Sequence, residues 1–210
     1  MAGLQIIGAA QSNYVWTCRI ACHEKGVPYE FVPGRPHSPE VSAIHPFGKI
    51  PVLRHGDFGL CESRAICGYV DQAFPGPSLF PDDPVAAARV EQWISLVNTG
   101  IDPLLIRQYI LAYAFPGTPD GSPNRDRIAA ALPKMPAQLE LLDRTIGAQG
   151  HLAGPGFTLA DAFVFPILFY LGKFPESSAM LARTASLPAY VDRLRARPSI
   201  AASAPPPLRT

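Results

Sequence analysis

The sequence predicts a small α/β unit followed by an all-α unit, and three observations carry that reading. Short apolar runs of strand character alternate with helical patterns over roughly the first eighty residues. A stretch dense in turn formers, Pro75–Pro84, then interrupts the chain with four prolines, one glycine and two aspartates. Beyond it no strand pattern returns. The 210 residues, 48% of them hydrophobic, are enough to build two real cores.

Leu4–Gly8 is a brief β-like run. Ser12 stands where a helix N-cap belongs, and Val15, Cys18, Arg19 and Cys22 follow at helical spacing. Gly26 ends that helix, with Lys25 in its last turn to favour the dipole. Tyr29–Val32 is a second strand, parallel to the first through a βαβ unit. Ser38-Pro39-Glu40 reads as a cap followed by Pro at the first helical position. Pro51–Arg54 and Phe58–Cys61 flank a short turn at His55-Gly56-Asp57. A third helix is expected from near Ser63 to about Phe74. The expected organisation is an α/β unit over 1–78, a linker over 79–84 and an all-α unit over 85–210.

In the second half Asp83-Pro84 opens a long helix whose apolar face runs from Val90 to Tyr113, and Pro103 is expected to kink it. The loop Gly117–Asn124 precedes another helical stretch to Ile146, interrupted by Pro133 and Pro136. Thr158 and Asp161 have the spacing of a capping box, with Phe157 at the staple position. Phe163–Leu171 is apolar on every side and reads as a buried central helix containing Pro166. A last helix begins at Leu187-Pro188 and is expected to stop at Arg197-Pro198, leaving an extended tail through Pro205-Pro206-Pro207.

Composition removes several function classes. Only 17% of residues are charged, which excludes a disordered chain. The net charge of +1, without a basic run, gives no footprint for nucleic acid. No apolar stretch is long enough to cross a bilayer, and Met1–Gly8 lacks the features of a signal peptide. Cys18, Cys22, Cys61 and Cys67 show no metal-binding spacing and are expected to be reduced thiols in a cytoplasm.

Four stretches, in this order and with the linker in this place, resemble the cytosolic glutathione transferase superfamily across nearly the whole chain. They are Ser12-Asn13-Tyr14-Val15 with its helix ending in Glu24–Glu30, His45-Pro46-Phe47-Gly48-Lys49-Ile50-Pro51-Val52-Leu53, Cys61-Glu62-Ser63-Arg64-Ala65-Ile66, and Phe157–Asp161. The first resembles the serine-type branches, phi and tau and their bacterial relatives. The resemblance implies a thioredoxin-like first domain and a helical second one. It further implies glutathione as co-substrate, no metal or other cofactor, a small apolar electrophile, a cytoplasmic location and a two-fold homodimer. Membrane and nucleic acid are not among its partners.

By that resemblance Ser12 donates a hydrogen bond to the glutathione sulfur. As a plain residue it is equally an N-cap, and Tyr14 is its nearest rival. Ile50-Pro51 resembles the family's cis-proline turn, which is expected to turn the N–H and C=O of Val52 toward the cysteinyl backbone of glutathione. Glu62 suits the ligand's ammonium group. Ser63 and the helix N–H groups beside it suit the γ-glutamyl carboxylate, although Ser63 alone also reads as a cap. Lys49 and His37 are candidates for the carboxylate at the glycine end. Tyr14, Leu105, Gln108, Tyr109 and Tyr113 are expected to line the apolar substrate's wall, the last four on the long helix. Other chemistries sharing the thiolate remain open: isomerase, dehalogenase or peroxidase, as does a non-catalytic binding domain of the same fold.

Overall fold

The first strand, β1 (Leu4–Gly8), buries every residue but Gln5, and it lies inside a four-stranded sheet. A computed structural model describes residues 3–207 of the chain. The sheet order is β2-β1-β3-β4, with β2 at Tyr29–Pro33, β3 at Val52–His55 and β4 at Phe58–Cys61. β1 and β2 run parallel, as a helical crossover requires, and β3 and β4 pair antiparallel. Helix α1 (Asn13–Lys25) ends on Gly26 at φ 70, a left-handed position that suits glycine. Helices α2 (Pro39–Ser42) and α3 (Ser63–Ala73) complete the thioredoxin-like arrangement. Val41 of α2 packs on Ile7 and Val52. Buried Cys18 and Cys22 of α1 and Cys67 of α3 lie in the core, and all four cysteines are free. Burial pushes the Cys18 and Cys22 thiols up, so these sulfurs behave as small hydrophobes.

By contacts the chain divides into two units, residues up to Phe80 together with those from Arg195 onward, and Pro81–Leu194. The second is helical: α4 (Pro84–Leu96), π-helical turns at Val97–Ile101 and Pro103–Ile110, α5 (Leu111–Ala114), α6 (Arg125–Ala131), α7 (Met135–Gln149), α8 (Leu159–Leu171), α9 (Pro175–Ala182) and α10 (Leu187–Arg195). Asp83 caps α4 as expected, its carboxylate accepting from Ala86 N–H at 2.8 Å. The kink expected at Pro103 is a widening instead. Proline has no N–H to donate, and the backbone accommodates it with π turns rather than by a break. Fully buried Asp161 in α8 accepts from Thr158 N–H at 2.8 Å, so the reach-back half of the box is present.

The C-terminal segment departs from expectation. Arg197-Pro198 does not end the helical structure. Arg197 is the N-cap and Pro198 the first residue of α11 (Pro198–Ser203), which packs on α1 within the first unit. A proline that stops one helix is equally suited to begin another, and the sequence signal is the same for both. Trp16 Nε1 donates to Ser203 Oγ at 3.1 Å. Glu24 accepts from Arg197 at 2.5 and 2.7 Å, and also from Ser199 Oγ. Ala204–Pro207 carry no regular structure, and Leu208–Thr210 lie outside the described residues.

This clasp has a pH signature. Burial alone would raise the Glu24 pKa, but the hydrogen bonds from Arg197 and Ser199 outweigh it and hold the carboxyl below its ordinary value. A depressed native pKa stabilises above the unfolded value, near 4.3, and that stabilisation is lost as pH falls through the native one. Arg197 is partly exposed, so screening limits the clasp to about 1–2 kcal/mol. Thermal melts should place Glu24→Gln below wild type by roughly 2–8 °C at pH 7. The gap should close below about pH 4.

Candidate functional site

Three loops of the first unit carry the residues that the sequence singles out. The first joins β1 to α1. Ser12 N–H donates to Ala9 O at 3.0 Å, closing a turn, and Ser12 takes extended backbone at φ −68 and ψ 127. Its Oγ then accepts from Val15 N–H at 3.4 Å, so the hydroxyl lies over the first turn of α1. It has no acceptor for its own hydrogen among the described residues. A hydroxyl can accept and donate at once, so capping leaves the proton available. Tyr14, half-buried, is already inside the helix.

The second loop precedes β3, and its Ile50–Pro51 peptide bond is cis. Val52 is fully buried and has a strand neighbour on each side, Ile7 in β1 and Cys61 in β4. The antiparallel rung expected at Val52 therefore has no open edge there. Ile50, ahead of the strand, has no backbone partner among the described residues. Sequence spacing could not separate two residues flanking one proline. The two loops meet at Gly8: a Cβ there would overlap Val15 Cγ2 and lie 3.3 Å from Ile50 Cβ. Only glycine lets the helix carrying Ser12 and the loop carrying Ile50 approach so closely.

The same loop moors the β2–α2 connection. His37, itself at φ 62, donates its N–H to Gly48 O at 2.8 Å, and its ring rests against Gly48. His37 is thus held beside the segment that carries Lys49, with both residues exposed. The Lys49 ammonium lies 5.9 Å from the centre of the Phe47 ring.

The third loop joins β4 to α3. Glu62, not Ser63, occupies the cap position; Ser63 is the first helical residue and only 7% exposed. Glu62 has φ 69 and ψ 117, a conformation that costs a non-glycine residue about 1–3 kcal/mol and persists only where its surroundings impose it. Its side chain is 69% exposed. Cys18 Sγ donates to Ser63 O at 3.8 Å, tying α3 to α1 at this end.

One contributor has no role in the sequence reading. His45 is buried; its Nδ1 accepts from Phe47 N–H at 3.1 Å and its Nε2 lies 3.4 Å from Glu62 Oε1. With Nδ1 accepting, the neutral ring carries its proton on Nε2, the nitrogen that faces the Glu62 carboxylate. The imidazole therefore joins the cis-proline loop to the strained corner. The available signal was a histidine inside the quoted His45–Leu53 motif, which spacing alone does not connect to Glu62.

The second unit corrects the apolar wall. Leu105 and Tyr109 are both 0% exposed and are core residues, so neither is available to line a substrate wall. The Tyr109 hydroxyl donates to Glu176 at 3.0 Å and accepts from Ser177 N–H at 3.1 Å. Gln108 points outward, exposed. Tyr113 is partly exposed, stacked on Phe174 at 4.4 Å, and donates to Glu176 at 2.5 Å. Leu105, Gln108 and Tyr109 lie within π-helical turns and Tyr113 follows them; such turns rotate side chains away from the 3.6-residue period on which the expectation rested.

Two family descriptions match the chain: "Glutathione S-transferase, N-terminal domain" over residues 6–78 and "Glutathione S-transferase, C-terminal domain" over residues 105–198. A probable glutathione S-transferase GSTF2 of Oryza sativa subsp. japonica is 30% identical, covering 95% of this chain and 94% of its own length. The chain belongs to the glutathione S-transferase family. Glutathione S-transferase 1 of Zea mays is likewise 30% identical, over 95% of each chain. Among solved structures, this transferase superposes on glutathione transferase F7 from Populus trichocarpa with a TM-score of 0.86, at 26% identity over 96% and 97% of the two chains. A theta class enzyme from Xanthomonas axonopodis pv. citri, solved with glutathione bound, gives 0.83 at 25% identity over the full length of both. The transferase is therefore an enzyme of this family, with the thioredoxin-like and helical domains of its relatives. Among its described residues no cluster of three metal-ligating side chains occurs, and no helix is long and apolar enough to cross a membrane.

Proposed function

We propose that this transferase binds glutathione in its first unit, holds the thiol as thiolate at Ser12 and adds it to a small apolar electrophile. The observation that carries this reading is the Ser12 hydroxyl, fixed over the tip of α1 with its hydrogen uncommitted. A thiol of pKa near 8.5 must fall by about two units to be mostly ionised at neutral pH, which needs roughly 3 kcal/mol. One hydrogen bond to a charged acceptor supplies about 1.5–3 kcal/mol, and the helix dipole about 0.3–1 more. The two together are sufficient.

The remaining residues anchor the tripeptide. Ile50 offers the antiparallel rung to the cysteinyl backbone. Glu62, held by His45, takes the γ-glutamyl ammonium. Ser63 and the first N–H groups of α3 take the adjacent carboxylate. His37 and Lys49 face the glycine carboxylate. With a halonitroaromatic substrate the thiolate attacks the carbon bearing the halogen; a C–S bond forms, the halide leaves with the bonding pair, and the thiol proton has already gone to solvent. Within the first unit, partly exposed Tyr14 is the residue we assign to the electrophile. Four free cysteines fit a reducing, cytoplasmic compartment. Exposed Phe47 is the contact we assign to a two-fold homodimer.

The test is conjugation of glutathione to a halonitroaromatic, followed by absorbance. Wild type should turn over and be inhibited by S-methylglutathione. Glu62→Gln should raise the KM for glutathione by about tenfold while changing kcat less than threefold, since it removes a binding contact remote from sulfur. No conjugation of any halonitroaromatic or epoxide, with glutathione bound, would leave the non-catalytic reading in its place.

A further inference from the structure

Ser12 stands at the open end of α1, where the first N–H groups have no carbonyl of an earlier turn to hold them. The direction of its hydroxyl therefore depends on what fixes the first turn. Trp16 N–H donates to Ser12 O at 2.9 Å, so the backbone of the serine is tied to Trp16. The Trp16 side chain is 1% exposed, and its Nε1 donates at 3.1 Å to Oγ of Ser203, 187 residues further along the chain on α11. Ser203 is itself fully buried. Its hydroxyl donates to Ser199 O at 2.7 Å, which orients the oxygen to accept from the indole. The other clasp, Glu24 with Arg197 and Ser199, grips α1 about 18 Å from Ser12. Apolar packing is non-directional and lets a helix slide or roll on its neighbours, whereas a buried hydrogen bond fixes both distance and angle. A hydrogen bond also weakens steeply as its angle opens, so a small rotation of the first turn would be felt at an acceptor of the Ser12 hydroxyl.

We propose that Trp16 and Ser203 are positioning residues for the reaction: α11 fixes the first turn of α1 so that the Ser12 hydroxyl is directed at the glutathione sulfur. This rests on the reading of Ser12 as the donor to the thiolate, and it adds a dependence of thiol ionisation on a helix from the far end of the sequence. Both residues are buried, so they act through the backbone of Ser12 and not by touching the tripeptide.

The experiment uses the full chain. The glutathione thiolate is titrated by its ultraviolet absorbance, and conjugation is followed against pH, in wild type, Ser203→Ala, Trp16→Phe, their double variant, Ser12→Ala and Glu24→Gln. Ser203→Ala and Trp16→Phe should each raise the thiolate midpoint by about half a unit or more. The rate should then fall about threefold at pH 6 and return to near the wild-type value by pH 9, with affinity for S-methylglutathione held within about twofold. The double variant should match Trp16→Phe, because both changes cut the same hydrogen bond. Glu24→Gln loosens the distant clasp and lowers Tm, yet should leave the midpoint within about 0.2 unit of wild type. Ser203→Ala deletes a single oxygen, so it decides the matter even if Trp16→Phe does not fold. An unmoved midpoint in Ser12→Ala defeats the reading of Ser12 and this inference with it. If Ser12→Ala moves the midpoint while Ser203→Ala does not, or if Glu24→Gln moves it as far as Ser203→Ala, only the positioning role is overturned.

Discussion

Ser12→Ala should lower kcat for conjugation by at least tenfold while the affinity for S-methylglutathione stays within about threefold. The hydroxyl is proposed to contact only the sulfur, so its loss removes stabilisation of the anion and little binding. Without it the thiol pKa returns toward 8.5, and at pH 7 the thiolate fraction drops to a few per cent. The same oxygen caps α1, so the variant also loses about 1 kcal/mol of helix stability. That cost is small beside the 13 residues of α1, nine of them buried. Ser12→Thr keeps both the cap and the donor and should recover much of the rate. Turnover of Ser12→Ala rising steeply between pH 7 and 9, where wild type is flat, would separate lost ionisation from lost folding.

Asp161→Ala should cost about 4 kcal/mol or more, a fall in Tm of roughly 10 °C. The carboxylate is fully buried in α8, and both oxygens are used. Oδ1 accepts from Tyr190 at 2.6 Å and Leu152 N–H at 3.0 Å, with His151 at 3.3 Å, while Oδ2 accepts from Thr158 N–H at 2.8 Å and Thr158 Oγ1 at 3.2 Å. Alanine leaves these donors buried without an acceptor, at about 1–3 kcal/mol each before relaxation. Burial together with Asp161 pushes the Tyr190 hydroxyl well up, so it stays a donor throughout the accessible pH range. Thr158→Ala removes only one contact and should cost about 1 kcal/mol, measured by the same melts.

Much of the fold was legible because local chemistry announced it. Ser12, Gly26, Asp83 and Thr158 each mark a helix end through a cap that depends on one residue type, and the alternation of short strands with α1 dictates the parallel β1–β2 pair. Long-range partners carried no such mark. Glu24 is separated from Arg197 by almost the whole chain, and nothing local indicates that Arg197-Pro198 begins a helix returning to α1. The π turns around Pro103 defeated the wall of Leu105 and Tyr109, because a periodicity argument presumes the period. In the first unit the motif residues lie on three loops, and their spacing along the chain could not say how those loops meet. Only strand pairing shows that Val52 has a neighbour on each side while Ile50 does not, and His45 emerged only from its distance to Glu62.

The most direct test is an ultraviolet titration of the thiolate in the enzyme–glutathione complex, wild type against Ser12→Ala. The account predicts ionisation near pH 6.5 in wild type, about two units below the free thiol, and a return to about 8 or above in the variant. Equal midpoints in the two proteins would contradict it, because the sulfur would then be held by some group other than the Ser12 hydroxyl.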